Sequence, residues 1–343
     1  MSRRGTVRCL LAAVLFGLTT PAVSRLADDM SAFTLAGLLY LGAAVAVLPF
    51  CVRRLPDRGA LARSWRPITT AVVAGGAAGP VLLVAGLART EASTASIMLN
   101  LELAATVVLA ALFFHEHLGG RVVVAAALVS AGGALLVWEP GATLDVGALL
   151  VAAACVCWGL DNCVTAEIDQ VTPEHVVFLK GAVAGTVNLL LGLTVAAEAG
   201  SSLTGSQILA ALAIGAIGYG ASITLWVKGA RDLGAARGQV IFATAPFLGA
   251  LAAWTVLDDP IDAIQVTATV LAGLGVVVSL RSAHSHQHGH EAVVHDHEHR
   301  HDDAHHDHTH DDEVAVVHSH RHEHISVVHR HPHVPDLHHR HPH

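Results

Sequence analysis

Apolar runs of spanning length recur along the first 280 residues, each closed by a short polar stretch. They cover 7–23, 32–52, 68–88, 93–114, 121–138, 144–164, 174–196, 206–227, 235–256 and 261–280. About 20 consecutive apolar residues are needed to cross the hydrocarbon core as a helix, so ten such runs predict ten membrane helices. The runs are rich in Ala, Gly, Val and Leu, with small-residue strings such as Gly75-Gly76-Ala77-Ala78-Gly79. Small side chains let helices approach closely in lipid, where no hydrophobic force drives them together. The start also fits a cleavable signal, with Arg3-Arg4 ahead of the apolar stretch 9–18 and Ala22-Val23-Ser24 behind it. The ten-helix reading keeps it as the first helix. After Leu280 the pattern changes to histidine alternating with polar residues.

Composition sharpens this division. The chain is 53% hydrophobic and 14% charged, with a formal charge of −8. Residues 1–282 carry 16 basic and 17 acidic residues, whereas 283–343 carry 4 and 11 and hold 23 of the 26 histidines. The acidity belongs to the tail, and no basic patch for nucleic acid is present. Arginine and lysine also fall on alternate connections. With a cytoplasmic N-terminus, one side holds Arg3, Arg4, Arg8, Arg53, Arg54, Arg58, Arg63, Arg66, Arg121, Lys228, Arg231, Arg237 and Arg281, and the other only Arg25 and Arg89. This asymmetry places both termini in the cytoplasm of an inner-membrane protein. The five cysteines, Cys9, Cys51, Cys155, Cys157 and Cys163, lie in or beside apolar runs and read as small buried hydrophobes.

The body compares with itself at an offset of about 143 residues. Phe16-Gly17-Leu18-Thr19-Thr20 answers Trp158-Gly159-Leu160-Asp161-Asn162. Arg89–Ser93 answers Asp232–Ala236, and Phe114–Leu118 answers Leu257–Ile261. Five spans per unit would invert the second unit relative to the first. The chain here resembles the EamA family of the drug/metabolite transporter superfamily. The resemblance rests on Trp158-Gly159, on the stretch 86–96 leading into the fourth helix, and on Phe113-Phe114-His115-Glu116-His117-Leu118, similar to a Phe-Leu-Gly-Glu-Arg-Leu ending. It implies an all-α membrane protein of two inverted five-helix repeats, 1–141 and 142–281, followed by a disordered tail, 282–343. It further implies a central cavity and alternating access for a small solute, often outward. The sequence departs from the family at Phe16-Gly17, at Leu101-Glu102-Leu103 and at Asp259, while Pro246 keeps the ninth-helix proline.

Charges inside spans need a reason. Glu102 lies about 14 Å into its helix at 1.5 Å per residue. Asn100 and Thr106 accompany it, and the group reads as a cavity carboxylate or as a buried tie between helices. Asp161 and Asn162 fall in the sixth span with Lys180 in the seventh, which suggests an Asp161–Lys180 pair or a cavity role. Thr19 and Thr20 occupy the matching place in the first helix, and Thr244 with Pro246 interrupts the ninth. His115, Glu116 and His117 read as the organiser of a helix end. No nucleophile elbow or phosphate loop points to an enzyme.

The tail offers His284, His286, His288 and His290, then His295, His297 and His299, then His318, His320, His322 and His324. Neutral imidazoles suit zinc, nickel or cobalt, and the spacing suits an extended chain. Units Val293-Val294-His295, Val316-Val317-His318 and Val327-Val328-His329 repeat through it. With few core-forming residues it is expected to be disordered. The expected partners are the bilayer, an unidentified small solute, divalent ions at the tail and, at most, a second copy in a homodimer, with no cofactor required. Two functions remain, solute transport with an accessory tail, or efflux or sensing of a transition metal.

Overall fold

The structure is a computed structural model describing residues 3–53, 56, 58–114, 120–137, 145–166, 168, 171–199, 203–233, 241–280, 284–290, 294–300, 317–323 and 327–333. It divides into a helical body and a separate tail unit, 283–334. The body's helices are α1 (Arg3–Gly17), α2 (Thr19–Ala27), α3 (Ala32–Cys51), α4 (Arg58–Arg63), α5 (Trp65–Thr70), α6 (Gly79–Leu87), α7 (Ala92–Met98), α8 (Leu101–Phe114) and α9 (Gly120–Val137). They continue as α10 (Val146–Ala166), α11 (Pro173–Leu179), α12 (Gly185–Ala199), α13 (Gly205–Ile214), α14 (Ser222–Leu233), α15 (Ala245–Val256) and α16 (Ala263–Leu280). Three π-helical segments, Ala71–Ala78, Lys180–Ala184 and Gly215–Ala221, join α5 to α6, α11 to α12 and α13 to α14.

Seven continuous helical stretches are long and apolar enough to cross a membrane: Arg4–Ala27, Ala32–Cys51, Trp65–Leu87, Ala92–Phe113, Val146–Thr165, Pro173–Thr194 and Gly205–Trp226. Three shorter apolar helices follow the same pattern, Val123–Val137, Ala245–Val256 and Ala263–Val278. The surface fits this reading. Val45, Leu112, Phe113, Leu190 and Leu209, all within helices, are each at least 60% exposed. Large apolar side chains in such numbers need lipid around them. The interior is built of small residues instead, with Ala12, Ala13, Ala36, Ala148, Ala154 and Ala250 fully or nearly fully buried. At Gly37, a Cβ would strike the backbone of Leu189, so α3 and α12 touch main chain to main chain.

Packing pairs α10 with α6 and α8, α1 with α14 and α15, α3 with α12 and the π-helical segment Gly215–Ala221, and α9 with α16. Helix ends are set locally. Ser31 accepts from Thr34 N at the start of α3, and Thr204 with Gln207 forms a capping box at the start of α13. The long helix predicted over 93–114 is in fact interrupted, with a turn at Leu99–Asn100 between α7 and α8. The site around Glu102 is built on that break.

The tail unit differs from its sequence expectation of disorder. Its described backbone forms four strands, β1 (His284–His290), β2 (Val294–Arg300), β3 (Val317–Glu323) and β4 (Val327–His333). β1 pairs antiparallel with β4, and β2 with β3. Alternation with a period of two and the recurring Val-Val-His units supply a strand pattern even without a core.

Candidate functional site

The site begins with the broken helix. Past Met98 the backbone bonds shorten to three-residue steps, Asn100 N to Ile97 O at 3.1 Å and Leu103 N to Asn100 O at 3.1 Å. The Asn100 side chain holds the break by donating Nδ2 to Ile97 O at 3.0 Å, and it is buried. Asn100 thus serves its own helix. Glu102 follows in the first turn of α8, where the carboxylate sits beside freshly opened backbone rather than in mid-helix.

Asn162 on α10 donates Nδ2 to Glu102 Oε1 at 2.7 Å and lies 3.4 Å from Thr106 Oγ1. Thr106 in turn donates to Glu102 O at 2.8 Å. Glu102 and Thr106 therefore meet Asn162, a partner that spacing along the chain did not single out for them. Glu102 and Thr106 are half-buried and Asn162 is exposed, so the cluster has an open side.

The next residue along α10 turns into a buried pair. Asp161 binds Lys180, and both side chains are largely shielded. Thr165 also donates to Asp161 Oδ1 at 3.0 Å. Lys180 opens the π-helical segment 180–184, and Asp161 faces the π-helical segment 71–78, where a Cβ on Gly75 would overlap its carboxylate. A π-helical turn frees carbonyls from the regular ladder. Here Gly75 O accepts from Tyr40 OH at 2.6 Å and from Trp158 Nε1 at 3.1 Å, and Ala77 O accepts from Asn188 Nδ2 at 3.1 Å. Tyr40 and Asn188 escaped sequence reasoning, and Gly75 was read only as a small residue for close packing. A lone Tyr inside a span with a glycine run elsewhere was the available signal, but nothing local says that they meet.

Thr19, Thr20 and Thr244 are not part of the Glu102 cluster. Thr19 and Thr20 are buried, and Thr19 donates to Leu15 O at 3.0 Å. Thr19 lies where a Cβ on Gly218 of the π-helical segment 215–221 would strike it. Thr244 is exposed and donates to Ile241 O at 2.7 Å, at a turn before α15. Aromatic rings link these parts: Tyr40 to Tyr219 at 5.4 Å, Tyr219 to Phe16 at 5.9 Å, Phe16 to Phe242 at 5.3 Å and Phe242 to Trp226 at 6.1 Å. Both tyrosines of the chain are in this row.

A separate recess of about 310 Å³ lies at the other end of α7, between Glu91, Asp145, Asp262, Arg89 and Gln265. Buried Gln265 donates to Glu91 Oε2 at 2.8 Å and to Thr94 Oγ1 at 3.0 Å. Partial burial pushes the Glu91 carboxyl above the ordinary range; the Gln265 amide opposes this, and the Asp259, Asp262 and Asp145 carboxylates add to it. Among the described residues no three His, Cys, Asp or Glu gather as a metal site. His115, Glu116, His117 and His324 lie outside the described residues.

Comparison with known proteins agrees with this architecture. The EamA-like transporter family matches residues 3–138 and again 145–281. An uncharacterised transporter of Methanothermobacter thermautotrophicus is 23% identical over 299 residues, spanning 80% of this chain and 85% of that protein. An uncharacterised protein of Pseudomonas aeruginosa is 27% identical over 300 residues, covering 84% and 99% respectively. A solved crystal structure aligns with a TM-score of 0.56 at 19% identity, over 80% of this chain and 96% of that one, which shows a shared fold. With the family matched twice along its helical body, this chain belongs to the EamA-like transporter family, as a multi-pass membrane protein.

Proposed function

We propose that the protein is a secondary transporter that exports a small organic solute carrying a positive charge, by alternating access between two inverted five-helix repeats. The observation that carries this is Glu102. It is a carboxylate inside a spanning segment, two residues past a helix break, hydrogen-bonded to neutral Asn162 and with an open side. A carboxylate exposed to lipid is expensive, so its open side belongs on a polar pathway. The row of aromatic rings from Tyr40 to Trp226 offers faces on which an organic cation could rest. Seven long spans together with three shorter apolar helices are consistent with ten segments, and the doubled family match supports repeats near 1–141 and 142–281. The arginine asymmetry supports cytoplasmic termini in an inner membrane. Among the described residues no three metal-ligating side chains gather, so nothing there favours efflux of a transition metal.

The test is Glu102→Gln, which keeps shape and the Asn162 contact while removing charge. Proteoliposomes with a pH gradient should show at least about a tenfold loss of organic-cation flux, equivalent to roughly 1.4 kcal/mol of lost interaction. Wild-type flux at every pH would make the carboxylate a packing group and sink the reading.

A further inference from the structure

α7 is a short piece of helix held at both ends. The turn at Leu99–Asn100 separates it from α8, and its other end is tied to the second half of the chain. Asp259 Oδ2 accepts from Ser93 N at 2.8 Å, and Asp145 Oδ2 accepts from Thr90 Oγ1 at 2.8 Å. The centre of this knot is Gln265, near the start of α16 and only 2% exposed. Its Nε2 donates to Glu91 Oε2 at 2.8 Å and to Thr94 Oγ1 at 3.0 Å, with Ser93 Oγ at 3.3 Å beside them. Its Oε1 accepts from Trp254 Nε1 of α15 at 3.0 Å. One buried amide thus clamps α7 to α15 and α16, and both its ends are engaged within the chain. Further along the spans the situation is reversed, since Asn162 beside Glu102 is exposed. We propose that the Gln265 knot is the gate that shuts the transport pathway on the Arg89 side, the outer side by the arginine asymmetry, and that it opens when α7 swings about the Leu99–Asn100 turn. Such a gate presupposes the alternating access proposed for this chain and gives one end of the pathway a definite closure.

A closure made of hydrogen bonds can open where an apolar one resists. Water replaces each protein bond with a bond of its own, so the net change on parting is small. Water already has a way in, because the recess of about 310 Å³ beside Glu91, Asp145 and Gln265 borders the knot, and Glu91 itself is exposed. One turn beneath Glu91 the contact becomes dry and close. Ser96 of α7 is fully buried, and a Cβ on Gly249 of α15 would come within 2.7 Å of its Oγ. Ser96 Oγ also has no hydrogen-bond partner among the described residues. A buried hydroxyl without a partner is a cost of the closed arrangement that water would remove on opening. Beneath a polar clamp there is therefore a contact between the halves that is ready to part, on a segment that has its own hinge.

The experiment uses the full-length chain in native membranes and a membrane-impermeant maleimide. S96C reports from the outside of spheroplasts and N162C from the cytoplasmic face of inverted vesicles, each corrected for the five native cysteines with the chain that lacks the reporter. Both are measured with the knot intact, with Q265L and with D259A, which leaves Gln265 in place and removes only the Ser93 N bond. With Q265L, labelling of S96C should become at least about tenfold faster, the shift in an opening equilibrium when roughly 1.4 kcal/mol of bonding is lost. Labelling of N162C should slow, because a pathway open on one side is closed on the other. D259A should move both rates in the same directions by less, and it decides the matter if Q265L does not insert. Faster labelling on both sides would mean loosened packing, and an unchanged S96C rate would mean that the knot holds nothing shut; either overturns the gate. No solute or flux is involved, so wild-type flux in Glu102→Gln would remove the cation reading and leave this result standing.

Discussion

The turns at Leu99–Asn100 and at Ala243–Thr244 fall at matching places in the two halves of the body, and they are made of different residues. In the first, an asparagine amide donates to the carbonyl three residues back, at 3.0 Å. In the second, a threonine hydroxyl does the same, at 2.7 Å. Two residues further on stands Glu102 in one half and Pro246 in the other. The π-helical segments 71–78 and 215–221 correspond in the same way. Gly75 is pressed against Asp161 and Gly218 against Thr19, so the glycine of each segment meets a residue of the other half, and only one of the two meets an ion pair. The backbone devices recur in both halves while the charges do not. Helix breaks and π-helical turns therefore belong to the scaffold, whereas Glu102 in one half and the Asp161–Lys180 pair in the other have no charged counterpart across the repeat.

The sharpest way to break this contrast is the buried pair. Asp161→Asn leaves Lys180 as an uncompensated buried charge, and removing one partner of such a pair costs about 3–5 kcal/mol. The corresponding Thr19→Val removes one hydroxyl bond, worth about 1 kcal/mol. Thermal unfolding in detergent should show a clear drop in Tm for the first and a small one for the second. The double variant Asp161→Leu with Lys180→Met should recover most of the loss. A double variant as unstable as the sum of its singles would mean that the two residues are not coupled.

The glycines come next. A methyl at Gly75 meets the Asp161 carboxylate, its Cγ and its Cβ together, whereas a methyl at Gly218 meets chiefly the Thr19 hydroxyl, which can rotate. Gly75→Ala should cost about 1–3 kcal/mol by overpacking, and Gly218→Ala less. Equal costs would show that Asp161 yields as freely as Thr19 and that Lys180 does not pin it.

Much of this organisation was legible in the sequence because membrane helices announce themselves by length and composition. The Asp161–Lys180 pair was one of the two readings offered by spacing, since costly charges must find partners, whereas the meeting of Asn162 with Glu102 was not among them. Asn100 and Thr244 were expected at a cavity, yet each is bonded to its own helix. A polar side chain next to a break has a closer task than ligand binding, and periodicity does not reveal the break. Asn100 was doubly hidden because the proline that marks Thr244 is missing beside it. Tyr40 and Asn188 could not be found at all, because what defines them is a carbonyl freed by a π-helical turn in a distant segment. The tail failed in the opposite direction. Its lack of core residues suggested disorder, while the alternation that already pointed to metal also favours strands.

The two breaks give a smaller test. Asn100→Ala removes a buried amide bond to Ile97 O, and Thr244→Val removes an exposed hydroxyl bond to Ile241 O. The first should cost about 1 kcal/mol and the second less, because water can replace an exposed donor. A Tm loss for Thr244→Val that matches Asn100→Ala would make the second break the more strained.

The smallest effect concerns Glu91, which lies ahead of the fourth apolar segment and away from the Glu102 cluster. Its carboxyl is raised in the folded protein, by partial burial first and by the Asp259, Asp262 and Asp145 carboxylates besides, against the lowering effect of Gln265. Those neighbours are fixed in place, since Asp259 accepts from Ser93 N at 2.8 Å, Asp262 from Gln265 N at 2.7 Å and Asp145 from Thr90 Oγ1 at 2.8 Å. A carboxyl raised on folding means that the folded state holds its proton more tightly than the unfolded chain. Stability is therefore greatest below the ordinary glutamate range, and it falls as pH rises from that range through the raised value. Glu91→Gln keeps an acceptor for Gln265 Nε2 and cannot ionise. Its Tm should match wild type near pH 4 and exceed it slightly near pH 8, by far less than Asp161→Asn loses, because Glu91 is exposed and solvent screens its neighbours. High salt should shrink the difference further. A variant that is equally shifted at both pH values would trace the effect to the Gln265 hydrogen bond instead of the charge, and a variant less stable at pH 8 would show that Arg89, not the three aspartates, dominates the field at this recess.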